Sequence, residues 1–340
     1  MRSVHVLLLI DAESYDRNDP LLEGPIDEAA EMERHIASAI RQLGSSVTVV
    51  PFGPDLRQTM QRLLNEDVDL VFNATEWALG TRRCAVDIAG FLELIGIPFT
   101  GTASRGIAFS LDKVVSKELV RSTGVDVPKY RAIDLGTRPR LEGLSPPVIV
   151  KPRFDGGSEG LALSSLVHSQ DKLVKRVKWL HNNMRQSAVC EEFVEGREIS
   201  VAVIGGRRLR VLPLRETVFS SNAGSPRFMT MRAKSDPNYR RKWGIRYSRA
   251  DLPTKLTASI TSYCKAIFRR LELHGYGRID LRVSTGNQVF FLEANHNPDL
   301  SPFAFGGFAK WAGMEYVELI QQIIDLSFER HRRKLRSGIV

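Results

Sequence analysis

The sequence predicts two architectures in one chain: a doubly wound α/β sheet over the first hundred residues, then mainly antiparallel α+β structure. Three observations carry this. Strand and helix patterns alternate through residues 5–101, the order of a parallel sheet with crossover helices. Beyond Thr102 strand patterns follow one another around turns, as antiparallel sheets do. At 340 residues the chain can build two or three modest cores.

In order, 5–10 (HVLLLI) is an apolar strand, and 27–44 is an amphipathic helix with Ile36, Ile40 and Leu43 on one stripe and Gly44 as its stop. A strand at 46–52, a helix at 55–66, a strand at 68–74, a helix at 84–96 and a short strand at 97–101 complete the first unit. A helix over 105–124 is closed by Gly124, strands follow at 127–133 and 146–152, and 169–184 is an amphipathic helix. Strands at 187–206 and 208–214 surround turns, whereas 215–253 is polar, rich in Arg and Ser, and without periodicity. A loop of that length inside a compact protein is usually functional or mobile. A helix at 254–275, a hairpin and a final helix at 314–334, with Val317, Ile320, Ile324 and Phe328 at helical spacing, end the chain.

Composition is that of an ordinary globular protein. Cys84, Cys190 and Cys264 have neither pairing nor metal-ligand spacing, which suits a reduced, cytoplasmic protein. No apolar run approaches the roughly 20 residues of a membrane helix. The formal charge of +9 raises nucleic acid or an anionic substrate as a partner. Part of that excess lies in the helical tail 329–337, and no aromatic residues interleave with the basic ones. A solvated basic surface is the better reading.

The chemistry begins at the hairpin RIDLRVSTGNQVFFLEAN. Gly286-Asn287 predicts a two-residue turn. That register sets Asp280 opposite Glu293 and Arg278 opposite Asn295 on one face, with Ile279, Leu281, Leu292 and Ala294 on the other. Two carboxylates roughly 5 Å apart at Cβ repel, so a cation is expected between them. Two carboxylates and an amide oxygen suit Mg²⁺ (or Mn²⁺). The plainer alternative is a solvated face on which Arg278, Asp280 and Arg282 form ion pairs.

The stretch VIVKPRFDGGSEG is a buried strand ending at Lys151, then a loop with Gly156, Gly157 and Gly160. Its backbone N–H groups can close on phosphate oxygens. The lysine precedes the glycines, so this is not a Walker loop. In CEEFVEGREISV, the acidic Glu191, Glu192 and Glu198 flank Phe193 and Val194. That pattern fits a strand edge beside an apolar slot, able to hold a base and a ribose, or else an exposed acidic turn.

In order along 71–302, VFNATEWALG, GFLELIGIPFTGT, LDKVVSKELVRSTGVDVP, VIVKPRFDGGSEG, EEFVEGREISVAV, GRIDLRV and FLEANHNP resemble the ATP-grasp superfamily, and within it the D-alanine–D-alanine ligases. The resemblance implies a Rossmann-like N-terminal domain (1–103), a small central α+β domain (104–190) and a C-terminal antiparallel α+β domain (191–340), with ATP gripped between the last two. It implies that Lys113 and Lys151 hold phosphates, with Gly157 and Ser158 in the loop beside them. Glu191 and the backbone near Glu192 and Val194 would meet adenine, and Glu198 ribose. Asp280, Glu293 and Asn295 would bind Mg²⁺, Arg278 would steady an oxyanion, and Lys234 would approach the γ-phosphate from a mobile lid. Family relatives also suggest a homodimer.

Departures fall on the substrate side. The family's N-terminal glutamate segment is missing after LLLIDAESYD, its HG pair is Thr75-Glu76 followed by Trp77, and a loop serine is Gly157. The lid tyrosine is Ser235, and the serine that holds the second substrate's carboxylate is Ala304. The expected activity is an ATP-dependent carboxylate–amine ligase that joins a small carboxylic or amino acid to an amine or amino acid through an acyl phosphate. The alternatives are D-alanine–D-alanine ligation itself, or a non-catalytic ATP-binding protein.

Overall fold

The computed structural model describes residues 3–15, 18–19, 21–24, 31–53, 55–77, 79–220, 222 and 224–338. The first unit runs β1 (His5–Asp11), α1 (Met32–Gln42), β2 (Ser46–Phe52), α2 (Leu56–Asn65), β3 (Leu70–Asn73) and α3 (Cys84–Leu94). Its sheet is parallel with order β2-β1-β3. The central strand is buried on both faces, as parallel strands are. Val6, Leu8 and Ile10 pack with Ile36 and Ile40 of α1, whereas Leu7 and Leu9 pack with Leu63, Ile88 and Leu92. Residues 27–30 of the predicted first helix lie outside the described residues.

Two expectations for the next stretch are corrected. The strand predicted at 97–101 is a single bridge, Val71 to Phe99, because the backbone turns at Gly101, φ +82°, where a Cβ would lie 2.3 Å from Asn297 Oδ1. The helix predicted over 105–124 is two helices, α4 (Ser104–Leu111) and α5 (Lys113–Arg121). Asp112 breaks the run: its carboxylate caps α5 by accepting from Val114 N at 2.9 Å and Val115 N at 3.3 Å. Both helices pack against the last strand of the third sheet.

The second sheet comprises β4 (Tyr130–Ile133), β5 (Val148–Pro152), β6 (Leu166–Val167) and β7 (Ala188–Glu192), with α6 (Gln170–Met184) across it. It is antiparallel with order β4-β7-β5-β6. Leu173, Val177 and Leu180 of α6 bury Val148, Val150 and Cys190.

The third sheet contains β8 (Gly196–Gly205), β9 (Leu209–Val211), β10 (Arg215–Val218), β11 (Arg246–Arg249), β12 (Gly275–Ser284) and β13 (Val289–Asn295). Its order is β11-β10-β8-β12-β13, and β9 also pairs with β8. The segment expected to be loop at 215–253 thus supplies two strands, β10 and, at the sheet edge, β11. It also holds α7 (Met231–Ser235) and α8 (Pro237–Lys242), packed on their own small core of Ala233, Tyr239 and Ile245. Elements of four to six residues are too short to show a helical or strand period. The helix α9 (Thr254–Arg270) covers one face of the sheet through Ile260, Cys264 and Ile267. On the other face α10 (Phe305–Trp311) and α11 (Tyr316–Ser337) tie Ala202, Ile204 and Tyr276 to α1 of the first unit. The three cysteines are unpaired. Among the described residues no helix is long and apolar enough to cross a membrane.

Candidate active site

The uncovered part of that second face forms the floor of a 350 Å³ cleft roofed by the second sheet and its glycine loop. The floor is built by the β12–β13 hairpin, whose turn differs from the expected one. Val283 pairs with Val289, Ser284 N donates to Gln288 O, and Asn287 takes a left-handed φ of 63°. The turn therefore has three residues, not two. A bulge at Leu292 then absorbs the odd residue, so Asp280 faces Glu293 and Arg278 faces Asn295. Its second effect corrects the predicted faces: Phe291, not Leu292, joins Leu281 in the core, and Leu292 lines the cleft.

The chain itself supplies cations beside the facing acids. Arg278 grips Asp280 in two-pronged fashion, Nε 2.9 Å from Oδ1 and Nη2 2.9 Å from Oδ2. Lys113 Nζ lies 3.5 Å from Glu293 Oε2. Burial alone would raise Asp280, but Arg278 outweighs it and holds the carboxyl below its ordinary range. Asn295 Nδ2 donates to Asp280 Oδ2 at 3.0 Å, and its Oδ1 faces the glycine loop, 3.5 Å from where a Gly156 Cβ would be. Among the described residues no three His, Cys, Asp or Glu side chains cluster as a metal site. Two carboxylates and an amide oxygen still fit Mg²⁺, which completes its shell with water and phosphate oxygens. Of the plainer alternative, the ion pairs are present, Arg278 with Asp280 and Arg282 with Glu198, but the face is not solvated, because Arg282 is 2 % exposed.

The roof supplies donors. Gly157 and Ser158 both have positive φ, 64° and 67°, and their N–H groups have no protein acceptor among the described residues. Successive N–H groups in such a turn form an anion nest. Lys113 reaches this loop by donating to Asp155 O. Lys234, on α7, is an exposed residue, yet its Nζ would lie 2.9 Å from a Cβ on Gly157. Burial in the cleft, with Arg278 nearby, lowers its pKa.

Behind the roof lies a buried ionic cluster that the sequence reading missed in part. Glu191 Oε2 is 3.1 Å from Lys151 Nζ, and Oε1 is 3.3 Å from Lys117 Nζ. Burial alone would raise Glu191, but the two lysines hold it below the usual carboxylate range. Burial lowers Lys117 to about 8. The Glu191 side chain, expected at adenine, is thus first the counter-ion of two lysines, although the residue borders the cleft and its buried Oε1 has no hydrogen-bond partner among the described residues. Lys117 follows Lys113 by one helical turn on α5, the spacing that could have revealed it.

Along the connecting edge the Glu192 carboxylate turns away, accepting from Ser145 N at 2.7 Å. Val194 N has no acceptor among the described residues, whereas its carbonyl accepts from Arg282 Nη1 at 2.9 Å. Arg282 also meets Glu198 Oε2 at 3.2 Å, while burial raises the Glu198 pKa. An apolar slot of Ile149, Phe193, Phe228, Met229 and Leu292 faces this edge.

A second cavity of about 390 Å³ adjoins the cleft at the first unit and includes Asp11, Glu33, Glu76, Trp77 and Phe303. Asp11 accepts from the N–H groups of Glu76 and Trp77, at 3.0 and 2.9 Å. Burial raises Asp11 to about 6 and Glu33 to about 7. Arg82 bridges Glu76 and Glu159 of the glycine loop, each at 2.7 Å.

Residues 119–325 match the family described as D-ala D-ala ligase C-terminus. The chain belongs to that family. Its members are ATP-grasp, ATP-dependent carbon–nitrogen ligases, and this enzyme is one. It is 32% identical over 311 residues to the uncharacterized protein y4sG of Sinorhizobium fredii (strain NBRC 101917 / NGR234), covering 90% of this chain and 89% of the relative. It is 28% identical over 302 residues to a D-alanine–D-alanine ligase of Desulforudis audaxviator (strain MP104C), covering 87% and 92%. The fold is shared with the crystal structure of the Bacillus anthracis D-alanine–D-alanine ligase complexed with ATP, at TM-score 0.75 and 17% identity over 98% of this chain and 100% of that one.

Proposed function

We propose that this ligase joins a carboxylate to an amine through an acyl phosphate, releasing ADP and phosphate, and that its substrates are not two D-alanines. The observation that carries the reading is the convergence of Lys113, Lys151 and Lys234 with the Asp280–Glu293 pair and Arg278 on one cleft. A carboxylate resists an amine because oxide is a poor leaving group. Attack by a carboxylate oxygen on the γ-phosphorus breaks the bond to the bridging oxygen and releases ADP. The amine nitrogen then attacks the acyl carbon, the bond to the phosphate oxygen breaks, and the nitrogen loses its proton to water.

In this reading Lys113, Lys151 and the N–H groups of Gly157 and Ser158 hold the phosphates, and Lys234 meets the γ-phosphate. The edge at Glu192 and Val194, with Glu191 beside it, takes adenine, and Glu198 takes the ribose. Asp280, Glu293 and Asn295 hold Mg²⁺, which supplies neutralisation of phosphate charge. Arg278 stabilises the oxyanion of the tetrahedral intermediate. The segment carrying Lys234 excludes water that would hydrolyse the acyl phosphate. A substrate pair other than two D-alanines is supported by the adjoining cavity, more spacious than a methyl side chain needs, and by Ala304 where the resemblance places a carboxylate-binding serine.

The test is ADP release by the full-length protein with ATP, Mg²⁺ and pools of amino acids and small carboxylic acids, followed by product mass. The expected product weighs the sum of two substrates less one water. No stimulation by any pool, or release of AMP, overturns the reading.

A further inference from the structure

We infer that Arg215 forms a carboxylate subsite for the acceptor, so that the amine joined here belongs to an amino acid; this rests on the ligase reading above. The guanidinium of Arg215 lines the cleft, and among the described residues no carboxylate lies within ion-pair distance of it. Its Nε is buried without a partner, and its recorded hydrogen bond is Nη1 to Ala304 O, long at 3.4 Å. An arginine fork offers five donors in a plane that matches a carboxylate. Here it is also held in place, with Cζ 4.2 Å from the Phe308 ring centroid and 4.7 Å from that of Tyr247.

Position separates this group from the phosphate apparatus. Arg215 pairs with Ser200, Ser200 with Asp280, and Asp280 with Glu293. Opposed residues of an antiparallel sheet share a face, so the four form one row across the cleft floor. Strands lie roughly 4.8 Å apart, which sets Arg215 about two strands from Asp280, on the side opposite Glu293 and its neighbour Lys113. Arg278, the proposed oxyanion group, stands near enough to repel it: burial first and Arg278 second lower the Arg215 pKa to about 10. A cation so placed is matched by an anion that arrives with the substrate. The hydroxyl-bearing residue that the family resemblance would set nearby is Ala304, whose carbonyl orients the guanidinium instead.

The experiment compares wild type, Arg215→Met and Arg215→Lys. Each full-length protein, with ATP and Mg²⁺, is offered a pool of D- and L-amino acids and the matching pool of amino-acid amides. The same pools are added to protein holding a non-hydrolysable ATP analogue, with thermal stabilisation as readout. Wild type should respond at least tenfold more strongly to the acids than to the amides by half-saturating concentration. Arg215→Met should lose that preference with KM for ATP unchanged, and Arg215→Lys should keep part of it. An equal response of wild type to both pools, no stabilisation by the acids, or an acid preference intact in Arg215→Met overturns the subsite. A rise in KM for ATP alone overturns it in favour of a phosphate contact. Acid-specific stabilisation lost in Arg215→Met, with no ADP release by wild type, upholds the subsite and overturns the ligase reading.

Discussion

Gly157 lies against the ammonium of Lys234: a Cβ built on Gly157 would stand 2.9 Å from Nζ, and the backbone there has a φ of +64°. The glycine loop of the roof and the α7 segment therefore meet at a point where a methyl group would push the Lys234 ammonium aside.

Gly157→Ala should lose about 1 kcal/mol of stability from its left-handed backbone and also displace Lys234. Gly136, φ +83° with open space around it, is the control. Gly136→Ala should lose similar stability in urea unfolding with ATP turnover intact, whereas Gly157→Ala should lose at least tenfold in kcat/KM for ATP. Equal turnover in the two variants would dismiss the contact.

Asp280→Asn and Glu293→Gln should each lower ADP release by about 10²–10³-fold, the scale of removing one preorganised electrostatic group. Asp280→Asn also leaves Arg278 without its carboxylate, so Glu293→Gln is the cleaner probe. Its Mg²⁺ requirement should rise while circular dichroism stays native. Undiminished turnover at limiting Mg²⁺ would take the pair out of the metal site.

The cluster of Lys117, Glu191 and Lys151 separates stability from binding. Glu191→Gln strands two buried ammonium groups and should cost about 3–5 kcal/mol in urea unfolding. Lys151→Ala leaves one lysine with one carboxylate, and its main effect should be weaker ATP binding, measured by titration. Unchanged ATP affinity in Lys151→Ala would remove that lysine from the nucleotide site.

Burial raises the Glu33 carboxyl from 4.5 to about 7. The folded state keeps a proton that the unfolded chain releases between those values. The associated stability is complete below pH 4.5 and is lost as pH rises through 7. Asp11 acts the same way between 3.8 and about 6. Glu33→Gln should therefore gain on wild type as pH rises from 5 to 8, by about 2–3 kcal/mol. Parallel stability profiles for the two proteins would refute the buried titration.

Long periodic elements were legible in the sequence. The strand at 46–52 and the helix at 169–184 stand where their patterns predict them, within a residue. The acids of the hairpin were placed opposite each other through two compensating differences, a longer turn and a bulge, neither visible in alternation. Alternation leaves Arg282 open to being a surface charge, and only the tertiary fold brings Val194 O to it. Lys117 and Arg215 escaped notice for different reasons: the helical spacing from Lys113 marks Lys117 as a neighbour on α5 without showing its buried partners, and Arg215 sits on a strand too short to have a pattern.

The supernumerary residue at Leu292 also acts as a fastening. Its side chain lines the apolar slot of the cleft, while its carbonyl accepts the ammonium of Lys117, the same group that meets Glu191 on β7. One backbone step thus clips the floor to the roof without touching the facing acids. Excising it would let the shorter register run on, with Asp280 still across from Glu293, and leave the two halves of the jaw joined by one fewer bolt.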